Sequence, residues 1–96
     1  MTFPIIGVST EGLIAVINRK AKSLSINGEN IEVGKEINKY FSPNAKEKII
    51  STLQTNTTQT IKGCHVSEIT YDIDVMPLSG NFRHKGVILS LKQVEN

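Results

Sequence analysis

From Glu68 to Val75 the chain alternates without a break: Ile69, Tyr71, Ile73 and Val75 are apolar, and Glu68, Thr70, Asp72 and Asp74 are polar. A period of two excludes a helix, because successive side chains of a strand point to opposite faces. It also requires one covered face and one wet face, the habit of antiparallel sheets. The stretch therefore predicts a half-buried antiparallel strand. Its covered side carries Ile69, Tyr71, Ile73 and Val75, with Glu68, Asp72 and Asp74 toward water. Pro77 ends it, since proline has no N–H to give a ladder.

The remaining elements follow from this anchor. Ile5–Ser9 and Leu13–Ile17 flank the turn Thr10-Glu11-Gly12 and read as a β-hairpin. The second run is apolar at every position, so both of its faces are expected to be covered. Asn18 is placed to cap a short helix with Ala21 and Leu24 on its inner side, and Asn27-Gly28-Glu29-Asn30 is a turn cluster. Ile37, Tyr40 and Phe41 stand at i, i+3 and i+4, the spacing of one helical face. Ser42-Pro43 is a helix start: serine caps, and proline at the first helical position forfeits no needed bond. Ala45, Ile49 and Leu53 continue that helix at i, i+4 and i+8, to an end near Thr55-Asn56. Thr57–Ile61 is β-prone, Gly63 marks a turn or bulge, and Gly86–Lys92 is a final strand reaching toward Val94. Two strands, then helices, then three strands indicate an α+β fold, an antiparallel sheet with helices on one face.

The 96 residues fit one domain, 1–96. With 39% hydrophobic and 21% charged residues the chain has the composition of a globular protein, not a disordered one. A net charge of +2 supplies no basic stripe for nucleic acid; Arg19, Lys20 and Lys22 read as the solvated face of a short helix. No apolar run approaches the roughly 18–20 residues that span a bilayer, and the N-terminus lacks a signal-peptide pattern. The single cysteine, Cys64, forms no intrachain disulfide, which is compatible with a cytoplasmic location. No direct contact with nucleic acid or membrane is expected.

Four pieces of sequence, in order and spread over about Ile5 to Val94, carry a family resemblance. They are Glu11-Gly12-Leu13-Ile14; Asn18 with Ala21 and Leu24; Ile31-Glu32-Val33-Gly34-Lys35; and Met76-Pro77-Leu78 followed by Lys85-Gly86-Val87-Ile88. In this arrangement the chain resembles the PAS domain family of sensor modules. The resemblance implies a five-stranded antiparallel sheet of order 2-1-5-4-3 with short helices on one face. It also implies a place in a larger bacterial signalling protein, a sensor kinase or a transcription regulator, and often a homodimer. Where the family often ends on Asp-Ile-Thr, this chain has Gln93-Val94-Glu95.

Cofactor chemistry finds little purchase. Flavin-binding relatives place a reactive cysteine in a helical Asn-Cys-Arg-Phe-like motif, whereas Cys64 lies in Lys62-Gly63-Cys64-His65. Haem-binding relatives place an axial histidine on the long helix, and Pro43–Leu53 has none. Cys64 and His65 are neighbours on a strand and so face apart, a poor start for a metal site. Asp72 and Asp74 stand about 7 Å apart on one strand face, a separation open to an acid–base pair, but the alternation reads as a solvated face. No Gly-x-Ser-x-Gly elbow or phosphate loop is present. The expectation is a non-enzymatic module with no haem, flavin or metal.

An apolar interior remains. Its expected lining is Ile14, Val16, Leu24, Ile37, Ile49, Leu53, Ile73, Leu89 and Leu91, with Asn18, Tyr40 and Tyr71 as the polar groups available to a ligand. A plain packed core is preferred to a pocket, because a dedicated site needs several convergent polar groups. The outer face of the sheet is the expected dimer surface, through Phe3, Ile5, Ile6, Ile88 and Val94, with Met1–Pro4 helping. The rival readings are a dimerisation module that senses nothing and a small α+β enzyme subunit.

Overall fold

The computed structural model describes residues 3–41, 43–66 and 68–94. The sheet has five antiparallel strands: β1 (Ile5–Ser9), β2 (Ile14–Ile17), β5 (Gln59–Val66), β6 (Ile69–Pro77) and β7 (Gly86–Gln93), in the order β2-β1-β7-β6-β5. Counting these five along the chain gives 2-1-5-4-3. Between β2 and β5 run helix α1 (Arg19–Lys22), the short strands β3 (Ser25–Ile26) and β4 (Glu29–Asn30), a 3-10 turn at Ile37–Lys39, and helix α2 (Pro43–Thr55).

Period and packing agree where the sequence has a clear period. Tyr71, Ile73 and Val75 of β6 are buried, and Val87, Leu89 and Leu91 of β7 lie beside them. Across β7, β1 adds Ile6 and Val8 to this covered face. Helix α2 lies over the same face with Ala45, Ile49 and Thr52 buried and Leu53 packed against the core. The Thr52 hydroxyl donates to Lys48 O at 2.8 Å, so a buried polar side chain costs no unmade bond. Asn18 caps α1 as the sequence suggests, its Oδ1 accepting from Ala21 N at 2.9 Å. The capping role expected of Ser42 falls outside the described residues.

Several expectations are corrected. Leu13–Ile17 is not covered on both faces: β2 is the edge of the sheet, and Val16 is 60% exposed on the face away from the helices. Val16 therefore leaves the interior lining. Its side chain instead fills the space over Gly7, where a β-carbon would stand 2.5 Å from Val16 Cγ1. Ile69 is 38% exposed, because it belongs to the pair with Val66 that closes the β5–β6 hairpin. Ile6 is fully buried, so it is a core residue and not part of an outer surface; parity in β1 sends Ile5 outward in its place. Ile37, Tyr40 and Phe41 are buried together, but a 3-10 turn achieves it where the spacing suggested a helix. Asn27-Gly28, both at positive φ, form the two-residue turn of a β3–β4 hairpin.

The β5 bulge shapes the site. Ile61 pairs with Ile73 and Cys64 with Tyr71, so Lys62 and Gly63 together face the single residue Asp72. Gly63 adopts φ +65°, the left-handed conformation that glycine takes without steric cost. Asp72 holds the bulge, with Oδ1 accepting from Gly63 N at 3.0 Å and Oδ2 3.5 Å from Lys62 Nζ. The extra residue resets the alternation so that both Ile61 and Cys64 face the core side.

Candidate functional site

Three places merit comparison: the interior, a cleft at the bulge, and the open face of the sheet. In the interior, Ile14, Ile37, Ile49, Ile73, Leu89 and Leu91 are each at most 2% exposed and form one cluster, with Leu24 and Leu53 packed against it at partial exposure. Two of the polar candidates, Asn18 and Tyr40, have structural partners. Asn18 Oδ1 accepts from Ile5 N and Ala21 N, and its Nδ2 donates to Phe3 O. Tyr40 Oη accepts from Glu32 N at 3.2 Å, and Tyr71 is buried at the edge of the cluster. Among the described residues no buried side-chain nitrogen or oxygen lacks a partner. Of the residues named from sequence, the aliphatic ones other than Val16 come together with Tyr40 and Tyr71 as packing, and Asn18 lies outside the cluster.

The cleft lies where the bulge carries β5 past the start of α2. It encloses about 320 Å³ and is bordered by Tyr40, Phe41, Asn44, Ile61, Cys64 and His65. Cys64 is half-buried, and loss of water around it pushes its thiol pKa up, which favours the protonated form. His65 turns to solvent, with Nδ1 3.0 Å from the Thr70 hydroxyl. Sequence reasoning did not find this cleft, and its signal is Gly63: a bulge there moves Cys64 to the inner face. Among the described residues no three of His, Cys, Asp and Glu gather as a metal site would need.

The open face carries an apolar row. Val16 pairs with Gly7, Gly7 with Ile88, and Ile88 with Met76, so Val16, Ile88 and Met76 share one face on adjacent strands. Beside them run Ile5, the buried Ser90 and Asp74. Beyond lie two ion pairs, Lys92–Asp74 at 2.8 Å and Lys62–Asp72 at 3.5 Å. The bond to Lys92 holds the Asp74 carboxyl below its usual range against the opposing effect of burial. Asp72 and Asp74 thus point away from the helices, each engaged with a lysine. Of the outer residues read from sequence, Phe3 is 39% exposed, and Ile5, Ile88 and Val94 are half-buried. Met1 and Thr2 fall outside the described residues.

Strand order, the helices on one face and the joints at Asn18, Gly34 and Pro77-Leu78 invite comparison with solved structures. A sensory box sensor histidine kinase from Vibrio cholerae superimposes with a TM-score of 0.78, over 99% of this chain and 81% of that one, at 19% identity. This is the PAS fold. The PAS domain of the histidine kinase ThkA matches with a TM-score of 0.72 over 96% of this chain and 99% of that domain, at 21% identity. A domain of an HTR-like protein from Haloarcula marismortui matches at 0.69, over 96% and 97%, at 18% identity. No family model and no curated protein matches by sequence. Among the described residues of this PAS fold, no helix is long and apolar enough to cross a membrane.

Proposed function

We propose that residues 1–96 form one sensory and dimerisation module of a larger bacterial signalling protein, without catalytic activity of its own. The observation that carries the reading is the PAS fold together with the apolar row Val16–Ile88–Met76 on the open face of its sheet. Helices cover one face, and the other presents aliphatic side chains flanked by ion pairs, a surface suited to a symmetric pair in which the same patch serves both subunits. Stimulus or partner binding shifts the balance between two packings of the sheet, and the change leaves through β7, the last strand. The packed interior favours a module that responds to a partner over one that encloses a large cofactor. The effector, a kinase or a transcription regulator, belongs to the same polypeptide in this reading.

Sedimentation over a concentration series tests the pairing. The wild type is expected to dimerise in the micromolar range, and Ile88→Asp to abolish it by placing a charge in the centre of the row. A wild type that stays monomeric to near-millimolar concentration, or a dimer that Ile88→Asp leaves unchanged, removes this assignment of the surface. The signalling role is read separately, by replacing the PAS domain of a reporter histidine kinase with this chain. Autophosphorylation identical to that of a kinase carrying an inert spacer speaks against it.

A further inference from the structure

Helix α2 ends without the basic residue that would suit its C-terminus: its last turn carries no positive charge, and Ile49 to Asn56 contains no ionisable side chain. Backbone carbonyls in a final helical turn have no partner within the helix and attract donors and cations. One of them is satisfied locally, since Asn56, at φ +55°, donates its N–H to Thr52 O. The next carbonyl, Leu53 O, lies 3.2 Å from Nδ1 of His84, a residue 31 positions away in the loop between β6 and β7. His84 itself sits at φ +67°. A non-glycine residue in that conformation carries a backbone cost and persists where its surroundings hold it.

We propose that His84 is a pH-sensitive latch joining the β6–β7 loop to the C-terminus of α2. Leu53 O is an acceptor only, so the imidazole must present Nδ1 as a donor. The neutral ring does this in one of its two tautomers, whereas the imidazolium does it always and adds a positive charge at the helix C-terminus. Acidification across the range in which imidazoles titrate therefore closes the latch, and alkaline conditions weaken it. The charged groups beside His84 in sequence are Arg83 and Lys85 of its own loop. Helix α2 contributes no charge at the contact, and neither the end of β6 (Met76–Pro77), the following Leu78 nor the start of β7 (Gly86–Val87) carries one. The latch ties the helical layer to the connection that feeds β7, and it holds whether or not the chain is a sensor.

Two measurements test it. Long-range proton–nitrogen correlation of the imidazoles above their titration range is expected to show His84 as the Nδ1–H tautomer. A dominant Nε2–H tautomer combined with no slowing of Thr55 and Asn56 exchange on acidification would leave Nδ1 without a donor role toward Leu53 O and overturn the latch. Amide exchange of Thr55 and Asn56, corrected for intrinsic rates, is expected to slow by about three- to five-fold from pH 8 to pH 5.5 in the wild type, the size of a helix-terminus charge effect. In His84→Asn, which tolerates the left-handed backbone, it should be independent of pH. Equal pH dependence in the two proteins also refutes the proposal, as does a flat wild-type profile.

Discussion

Replacing Asn18 by alanine is the most informative single change, because one amide joins three parts of the chain. Oδ1 caps α1 through Ala21 N at 2.9 Å and accepts from Ile5 N at 3.0 Å, while Nδ2 donates to Phe3 O at 2.8 Å. Loss of a helix cap costs about 1 kcal/mol. Leaving the part-buried Ile5 amide without an acceptor costs about another 1–3 kcal/mol. Phe3 O is exposed and turns to water, so it adds little. Together Asn18→Ala should cost about 2–4 kcal/mol. For a domain of this length that lowers Tm by about 10–25 °C. Asn18→Asp separates the contributions. It keeps both acceptor bonds, loses the donor to Phe3 O, and places a carboxylate at a helix N-terminus whose first turn has no acid. It should retain more than half of the stability that alanine loses. Urea unfolding followed by circular dichroism measures both. The reasoning fails if alanine costs less than about 1 kcal/mol, or if aspartate is as damaging as alanine.

Two glycines should respond differently to the same added methyl group. A β-carbon at Gly86 would lie 2.5 Å from Val8 O, a backbone atom held in the β1–β7 pairing, so Gly86→Ala should cost about 3 kcal/mol or fail to fold. At Gly7 the obstacle is the exposed Val16 side chain, which can rotate away, and Gly7→Ala should cost about 1 kcal/mol by urea titration. Asp74 has a carboxyl held below its unfolded value, so its contribution to stability is present above the unfolded value and lost as pH falls through the folded one. Lys92→Ala should flatten that acid limb of a stability-versus-pH curve by lowering the plateau above the unfolded value, and leave stability below the folded value nearly unchanged. Asp72→Ala removes the acceptor of Gly63 N and should increase amide exchange at Gly63 and Cys64 before it changes the rest of the sheet.

Much of the architecture can be read from residues with a clear period or a capping chemistry. The alternation at Tyr71–Val75, the Asn18 cap and the stripe Ala45, Ile49 and Leu53 each admit few alternatives. Other features were not legible, for physical reasons. Leu13–Ile17 is apolar throughout, and a run without contrast does not say which side chain faces out, so nothing in it marks Val16 as the exposed one. Ile5 and Ile6 are chemically identical neighbours, and only the register with β7 assigns one to each face. The spacing of Ile37, Tyr40 and Phe41 suits an α-turn and a 3-10 turn alike. Strands β3 and β4 are two residues each, too short to show an alternation. Of the candidate site, the aliphatic interior was apparent. The cleft was not, because it depends on the Lys62-Gly63 bulge reversing which face Cys64 presents.

The position of β7 has a consequence for how the chain reaches this structure. It is the last strand in sequence, yet it lies between β1 and β6 and pairs with both. Until it is in place, β1–β2 and β5–β6 are two separate hairpins, and isolated hairpins are marginal in water. The pairing of Ile5 with Ser90 closes nearly the whole chain into a loop. Such long-range closure must be completed before its contacts reward it, which slows folding. During synthesis the sheet cannot be completed before Gly86–Gln93 has left the ribosome. A truncation that removes this strand should yield two unjoined halves, each with an exposed apolar face and a tendency to aggregate, and not a slightly smaller version of the same fold.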